Sequence, residues 1–144
     1  MLGIMLGIMD DAKRKNTAPP LDIVLLGVEW APRALVRAQL IEEGFEVLAT
    51  NTWTAARRYL RPGSKPLLAI VDLQGLPEPD RVLADLGVLM KPERVLVIAA
   101  MGTVPPGRIE RLGFRVIRRP VAIGGIVREA ARVVAEVRAR LRRA

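Results

Sequence analysis

The sequence contains no cysteine and no histidine, and Ser64 is its only serine. Without cysteine there are no disulfides, thiolate nucleophiles or thiolate metal ligands. Without histidine, the usual Ser/His and Cys/His nucleophilic pairs and histidine-ligated metal sites are excluded as well. We therefore expect a protein that is not an enzyme, with no catalytic residues, no metal site and no cofactor.

Long apolar runs and aromatic residues are also scarce. No apolar run reaches the roughly 18 residues that a membrane-spanning helix needs, so we expect a cytoplasmic protein with no membrane contact. Hydrophobic residues nevertheless make up 51% of the chain, while Trp, Tyr and Phe together make up 3%. The 144 residues are enough for one domain with a core of Val, Leu, Ile and Ala.

The positive charge lies at one end of the chain. Residues 1–106 carry 12 basic and 12 acidic side chains, whereas residues 107–144 carry 11 and 3, which accounts for the net charge of +8. This asymmetry indicates an acidic partner, nucleic acid or an anionic surface. The alternative is an arginine-rich helix that is simply solvated.

The first 20 residues differ in character from the rest of the chain. The repeat MLGIMLGIM precedes a charged stretch, the reverse of the order in a secretory signal peptide. We predict a disordered leader over residues 1–20, with a docking peptide as the alternative, and one domain over residues 21–144.

From Leu21 onward, short apolar runs alternate with amphipathic segments. The predicted strands cover residues 21–27, 46–50, 67–72, 95–100 and 114–118, with helices between them and a last helix over residues 123–142. Strands that alternate with helices through short loops predict parallel βαβ units and an open sheet with helices on both faces. The functional crevice of such a sheet lies beyond the carboxyl ends of its strands.

Local signals predict where the helices begin and end. Pro32 suits the first turn of the first helix, and Gly44 suits the left-handed residue that ends it. Thr52 or Thr54 is expected to cap the second helix, and Asp80 the third. On the first helix we expect three residues to face the core: Leu35, Leu40 and Ile41.

Residues at the carboxyl ends of two predicted strands carry a family resemblance. Asp72 ends the third strand in IVDLQGLP, and Arg119 and Pro120 follow the fifth in FRVIRRPV. With IEEGFEV at the end of the first helix, the chain resembles the CheY-like receiver domains of two-component response regulators. The resemblance implies a three-layer, flavodoxin-like sandwich with a five-stranded parallel sheet in the order 2-1-3-4-5. It places Asp72 where receivers carry the aspartate that accepts phosphate.

The departures from the receiver pattern fall at this same place. The two adjacent acids that hold magnesium in receivers are replaced by Gly27 and Val28, followed by Glu29. Ala99 stands in place of the hydroxyl residue, and Val116 in place of the aromatic switch residue. Arg119, before Pro120, replaces the lysine. The resemblance therefore implies a degenerate receiver, or pseudo-receiver.

Three interpretations of Asp72 stay open at this point. In the first, its carboxylate is solvated or caps a nearby turn. In the second, it forms a two-pronged salt bridge with Arg119 that closes the pocket. In the third, Asp72 still accepts phosphate. Only that alternative requires magnesium, which one acid holds poorly unless Glu29 turns inward.

The last helix combines an apolar stripe with many arginines. The stripe is expected to pack on the sheet and comprises Ile126, Ala130, Val133, Val137 and Leu141; its end is alternatively a seam for a second helix. The predicted interaction surface comprises Arg128, Arg132, Arg138, Arg140, Arg142 and Arg143. Nucleic acid is only weakly supported, because no aromatic residue is near and two glutamates interrupt the basic face.

These observations predict a non-catalytic, receiver-like signalling module that acts by binding a protein partner or a second copy of itself. Two alternatives are a response regulator phosphorylated at Asp72 and a regulator that binds nucleic acid through its basic helix. Another is a small-molecule binder on the same sheet, which the lack of a GxGxxG motif and of a P-loop disfavours.

Overall fold

The computed structural model describes residues 21–61 and 66–144, so the predicted leader and Ser64 lie outside the described residues. The elements are β1 (Ile23–Leu26), α1 (Trp30–Glu42), β2 (Val47–Thr50), α2 (Trp53–Arg57), β3 (Leu68–Asp72), α3 (Pro79–Leu89), a 3-10 turn (Pro92–Arg94), β4 (Val95–Ile98), α4 (Pro106–Arg111), β5 (Arg115–Ile117) and α5 (Ile123–Arg143). No described helix is long and apolar enough to cross a membrane.

The five strands form one parallel sheet in the order β2-β1-β3-β4-β5. The predicted fold class and strand order are therefore confirmed. The three central strands are buried along their whole length, because helices cover both faces. Asp72 ends the middle strand, opposite Ile98 of β4.

Alternating strand residues contribute to two separate cores. Val24 and Leu26 of β1 face the core beneath α2, α3 and α4. Ile23 and Leu25 face the core beneath α1 and α5. This alternation follows from the two-residue period of a strand and gives a three-layer sandwich.

Most helix ends follow the predicted signals. Thr52 caps α2 by accepting a hydrogen bond from the backbone N–H of Ala55 at 3.2 Å. Gly44 ends α1 with a φ of 96°, a conformation that glycine adopts without a steric penalty. The prediction for α3 was wrong, because the helix starts at Pro79 and its cap residue is Glu78 rather than Asp80. Proline favours the first helical position, since its missing N–H is not needed there.

The predicted inner face of α1 was also wrong in two of three positions. Leu40 is fully buried, but Leu35 is 53% and Ile41 43% exposed. The second buried residue of the helix is Val36, one turn before Leu40. Because residues four apart lie on the same side of a helix, these two define the inner face. Much of the apolar surface of α1 thus faces outward.

The stripe of α5 packs on the sheet as predicted, except at its end. Ile126, Ala130, Val133 and Val137 are buried, whereas Leu141 is 53% exposed. Val127 and Val134 are buried beside them, so the inner face is wider than the predicted stripe. The last turn of α5 extends past the core.

The assignment of the inner face of α1 predicts unequal effects of two leucine substitutions. Leu40→Ala removes fully buried methyl groups and is expected to lower the free energy of unfolding by about 2–5 kcal/mol. Leu35→Ala, on the exposed side, is expected to change it by about 0.5 kcal/mol or less. Urea denaturation of the two variants checks the assignment; equal losses would contradict it.

Candidate functional site

The candidate site lies at the carboxyl ends of the central strands, where Asp72 ends β3. Asp72 is 9% exposed and is the one charged residue classed as buried in the described part of the chain. A buried carboxylate is costly unless it is paired or hydrogen-bonded. Both requirements are met here.

Each carboxylate oxygen of Asp72 has a partner. Oδ2 accepts a hydrogen bond from Nη2 of Arg119 at 2.6 Å, in an ion pair with little exposed surface. Oδ1 accepts one from the backbone N–H of Gln74 at 2.9 Å, which caps the turn after β3. Two of the interpretations of Asp72, the turn cap and the arginine pair, therefore occur together.

The pair with Arg119 has one prong rather than the predicted two. Only Nη2 of Arg119 reaches the carboxylate, at Oδ2, while Oδ1 accepts the Gln74 N–H. Nε of Arg119 is buried and has no hydrogen-bond acceptor among the described residues. Pro120, joined to Arg119 by a cis peptide bond, is exposed. The pairing links β3 to the loop after β5 across the end of β4.

A second arginine, Arg33, lies at the end of β1. Its Nη1 donates hydrogen bonds to the carbonyl oxygens of Gly27 at 2.7 Å and Val28 at 3.1 Å. Sequence analysis missed Arg33, because a single arginine in the first turn of a helix is usually interpreted as a solvated side chain. No spacing rule signals it, because the contact depends on how the first turn of α1 lies against the end of β1. A cation therefore lies beside Gly27 and Val28, the two positions at which the resemblance implies acids.

The other predicted pocket residues do not complete a metal site. Glu29 is exposed and makes no capping hydrogen bond to α1. Ala99 is buried at the end of β4, with a side chain that has no donor. Val116 is half-buried and packs against the core beneath α2, α3 and α4. Among residues 21–61 and 66–144, no three acids lie close enough to hold an ion.

The space beside Asp72 is small. A cavity of about 40 Å³ is lined by Asp72, Arg33 and Arg119, together with apolar residues of β1, α1 and α5. It has room for about one water molecule, whose share of liquid volume is about 30 Å³. Magnesium requires six oxygen ligands, most of them usually waters. The residues present therefore do not fit this ion.

A larger concave surface lies elsewhere, between α2 and α3. This groove of about 970 Å³ has an apolar floor that includes Leu76 and Val82, and arginines at its rim that include Arg57 and Arg81. The indole N–H of Trp53 donates to Asp85 at 3.2 Å along one wall. Asp72 and Arg119 do not line the groove. Sequence analysis did not predict it, because it depends on how far apart two helices pack.

Half of the arginines predicted to form the interaction surface of α5 are held by ion pairs. Arg132 pairs with Glu129 and Glu136, both on the same helix. Arg138 pairs with Asp22 at 3.2 Å, and its guanidinium lies 5.7 Å from the centre of the Phe45 ring.

Arg140 approaches Glu93 at 3.9 Å. The three others are exposed and form no ion pair with another described residue: Arg128, Arg142 and Arg143. The surface of α5 is therefore less cationic than its sequence indicates.

Glu136 is the centre of this network. It accepts a hydrogen bond from Arg115 of β5 at 2.6 Å and another from Arg132. The hydrogen bond from Arg115 is the largest cause that lowers the pKa of Glu136; desolvation opposes it, and the positive charges of Arg115, Arg132 and Arg140 each lower the pKa further. Through its hydrogen bond with Arg115, Glu136 connects α5 to the edge strand β5.

No family model matches the sequence, and no curated protein matches it. Solved structures do match. The CheY-like response regulator receiver domain protein from Methanospirillum hungatei is 16% identical, with a TM-score of 0.70 over 85% of this chain and 99% of that one. The receiver domain protein from Clostridium thermocellum is also 16% identical, with a TM-score of 0.65 over 81% and 95%.

NtrX from Brucella abortus is 22% identical, with a TM-score of 0.69, and the match covers 86% of this chain but 29% of NtrX. The predicted resemblance to receiver domains is thus confirmed at the level of the fold. The described residues form the fold of CheY-like response regulator receivers.

The ion pair at the candidate site predicts strong energetic coupling. Asp72→Asn leaves the Arg119 charge without a partner, and is expected to lower the free energy of unfolding by about 1–3 kcal/mol. In a double-mutant cycle with Arg119→Gln, the coupling is expected to exceed about 0.5 kcal/mol. Urea denaturation of the wild type, both single variants and the double variant measures it; additive losses would contradict the pairing.

The lowered pKa of Glu136 predicts a pH-dependent contribution to stability. A carboxylate whose pKa is lower in the folded chain stabilises the fold above its unfolded pKa, about 4.3. That contribution disappears as the pH falls through the lower folded value. Glu136→Gln should therefore lower the melting temperature at pH 7, and this difference from the wild type should shrink as the pH falls below about 4.3, as measured by circular dichroism. The control is Glu43→Gln at the exposed end of α1, for which we expect small effects at both values.

Proposed function

We propose that this chain is a receiver-like regulatory module that acts by binding proteins and does not accept phosphate at Asp72. The observation that carries the proposal is the ion pair of Asp72 with Arg119 at 2.6 Å. In the proposed module, the guanidinium of Arg119 pairs with an oxygen of Asp72 that a phosphoacceptor would need to have free.

The chemistry of phosphoryl transfer supports the proposal. Transfer to a carboxylate requires the nucleophilic oxygen to be accessible and the phosphate charge to be neutralised, usually by a divalent ion. Here one oxygen of Asp72 is paired with Arg119 and the other accepts the Gln74 N–H. Arg33 places a positive charge at the end of β1, which repels a divalent cation.

In the proposed module, the same contacts keep the pocket around Asp72 in one arrangement without phosphorylation. The guanidinium of Arg119 then supplies the contact to Asp72 that a bound ligand would otherwise supply. Ala99 has no hydroxyl with which to follow a phosphoryl oxygen, and Val116 is held against the core. Signalling by the proposed module therefore depends on contacts between the surface of the domain and other proteins.

Labelling with a phosphodonor tests the proposal. The chain is incubated with acetyl phosphate and magnesium, and separately with beryllofluoride and magnesium, beside a receiver domain that has both acids as the positive control. Intact-mass measurement and two-dimensional NMR are expected to show no adduct and no shift of the residues around Asp72. A stoichiometric adduct that disappears in Asp72→Asn would overturn the proposal.

A further inference from the structure

The outer surface of α1 exposes apolar residues from its first turn to its last. Three of the large hydrophobic residues that the structure leaves exposed are on this helix: Trp30 at 73%, Leu35 at 53% and Ile41 at 43%. Ala31, Ala34 and Ala38 are exposed between them. In a thirteen-residue helix that buries only Val36 and Leu40, this surface needs an explanation.

The exposed residues follow a heptad pattern. Positions a and d are Ala31, Ala34, Ala38 and Ile41; the flanking e positions are Leu35 and Glu42, and the flanking g positions are Trp30 and Arg37. All eight are exposed. The b, c and f positions are Pro32, Arg33, Val36, Gln39 and Leu40, and all five are buried or half-buried. The outward face therefore has the residue pattern of a coiled-coil seam, and it lies opposite the face that packs on the sheet.

The charges on the two flanks indicate which helix fits this seam. Arg37 is at a g position and Glu42 is at the e position five residues later. Both are exposed, and neither forms an ion pair with another described residue. In a parallel two-stranded coiled coil, charged residues at g and e positions pair between the two helices. Two copies of α1 side by side would form this pair twice, once on each flank.

We propose that α1 is a self-association surface, on which a second copy of this chain packs its own α1 in parallel about a twofold axis. Alanine at three of the four central positions allows the two helices to approach closely. The contact is small, which predicts a weak and reversible dimer rather than a permanent one. This inference rests on the proposed function, since it names one protein partner and one surface for the module.

Cysteine cross-linking of the full chain tests the parallel arrangement. Because the chain contains no cysteine, one introduced thiol is unique. Ala31→Cys and Ala38→Cys both place a thiol at a central a position, where it faces its own copy in a parallel pair. Both variants are expected to form disulfide-linked dimers on mild oxidation. The control is Val88→Cys on α3, which is 86% exposed and lies outside α1.

Light scattering and analytical ultracentrifugation over a range of protein concentrations test the surface without a cross-link. Ala38→Glu is expected to weaken self-association at least about tenfold, because two carboxylates then meet at the centre of the seam. Val88→Glu is the matched control and should have no effect. Arg37→Glu should weaken association, and the exchange Arg37→Glu with Glu42→Arg should restore it.

Two results would overturn the proposal. One is a chain that stays monomeric at all concentrations, with no more cross-linking at positions 31 and 38 than at position 88. The other is a dimer that Ala38→Glu leaves intact. Either result assigns the apolar face of α1 to another occupant, residues 1–20 or a different protein. Neither affects the proposed function, which the phosphodonor labelling tests separately.

Discussion

A carboxylate placed at the centre of a buried sheet requires a partner. Asp72 ends the middle strand, and its charge is tolerable there because Arg119 reaches it from the loop after β5. Arg119 must extend past the end of β4, where the side chain of Ala99 is a single methyl group. The turn at Gln74 is fixed by the other oxygen of the same carboxylate. One ion pair thus sets the arrangement of three strand ends.

In the proposed function, this pair also separates the fold from the phosphoryl-transfer chemistry of receivers. The sheet, its strand order and the layers of helices are those of CheY-like receivers. The two acids expected at the end of β1 are replaced by Gly27 and Val28, with the guanidinium of Arg33 beside them, and Arg119 stands where a lysine is expected. A fold can keep its layers through such a change, because the two cores depend on apolar residues away from the strand ends.

The sequence was most informative where structure depends on local patterns. Strand and helix alternation predicted the sheet, because buried strands and amphipathic helices have different periods. It was less informative for helix faces, since Leu35 and Ile41 are as apolar as Leu40 and only the packed structure separates them.

For the site, Asp72 and Arg119 could be paired from the sequence, because both follow strands of one parallel sheet. The single hydrogen bond between them could not, since it depends on the orientation of the Arg119 guanidinium in the folded chain. Arg33 and the ion pairs of Arg138 with Asp22 and Arg115 with Glu136 join residues that no spacing rule brings together. Such contacts depend on tertiary distances.

The alanines on α1 have a thermodynamic consequence. An alanine side chain has no rotamers to lose when it is covered, whereas a long side chain gives up conformational entropy. Ala31, Ala34 and Ala38 also add little apolar area of their own, so most of the apolar area that this face exposes to water belongs to Trp30, Leu35 and Ile41. In the proposed dimer, the alanines therefore let two copies associate and separate with little loss of side-chain entropy. The fraction of chains in that dimer would follow the protein concentration, which would make the surface responsive to the abundance of the protein.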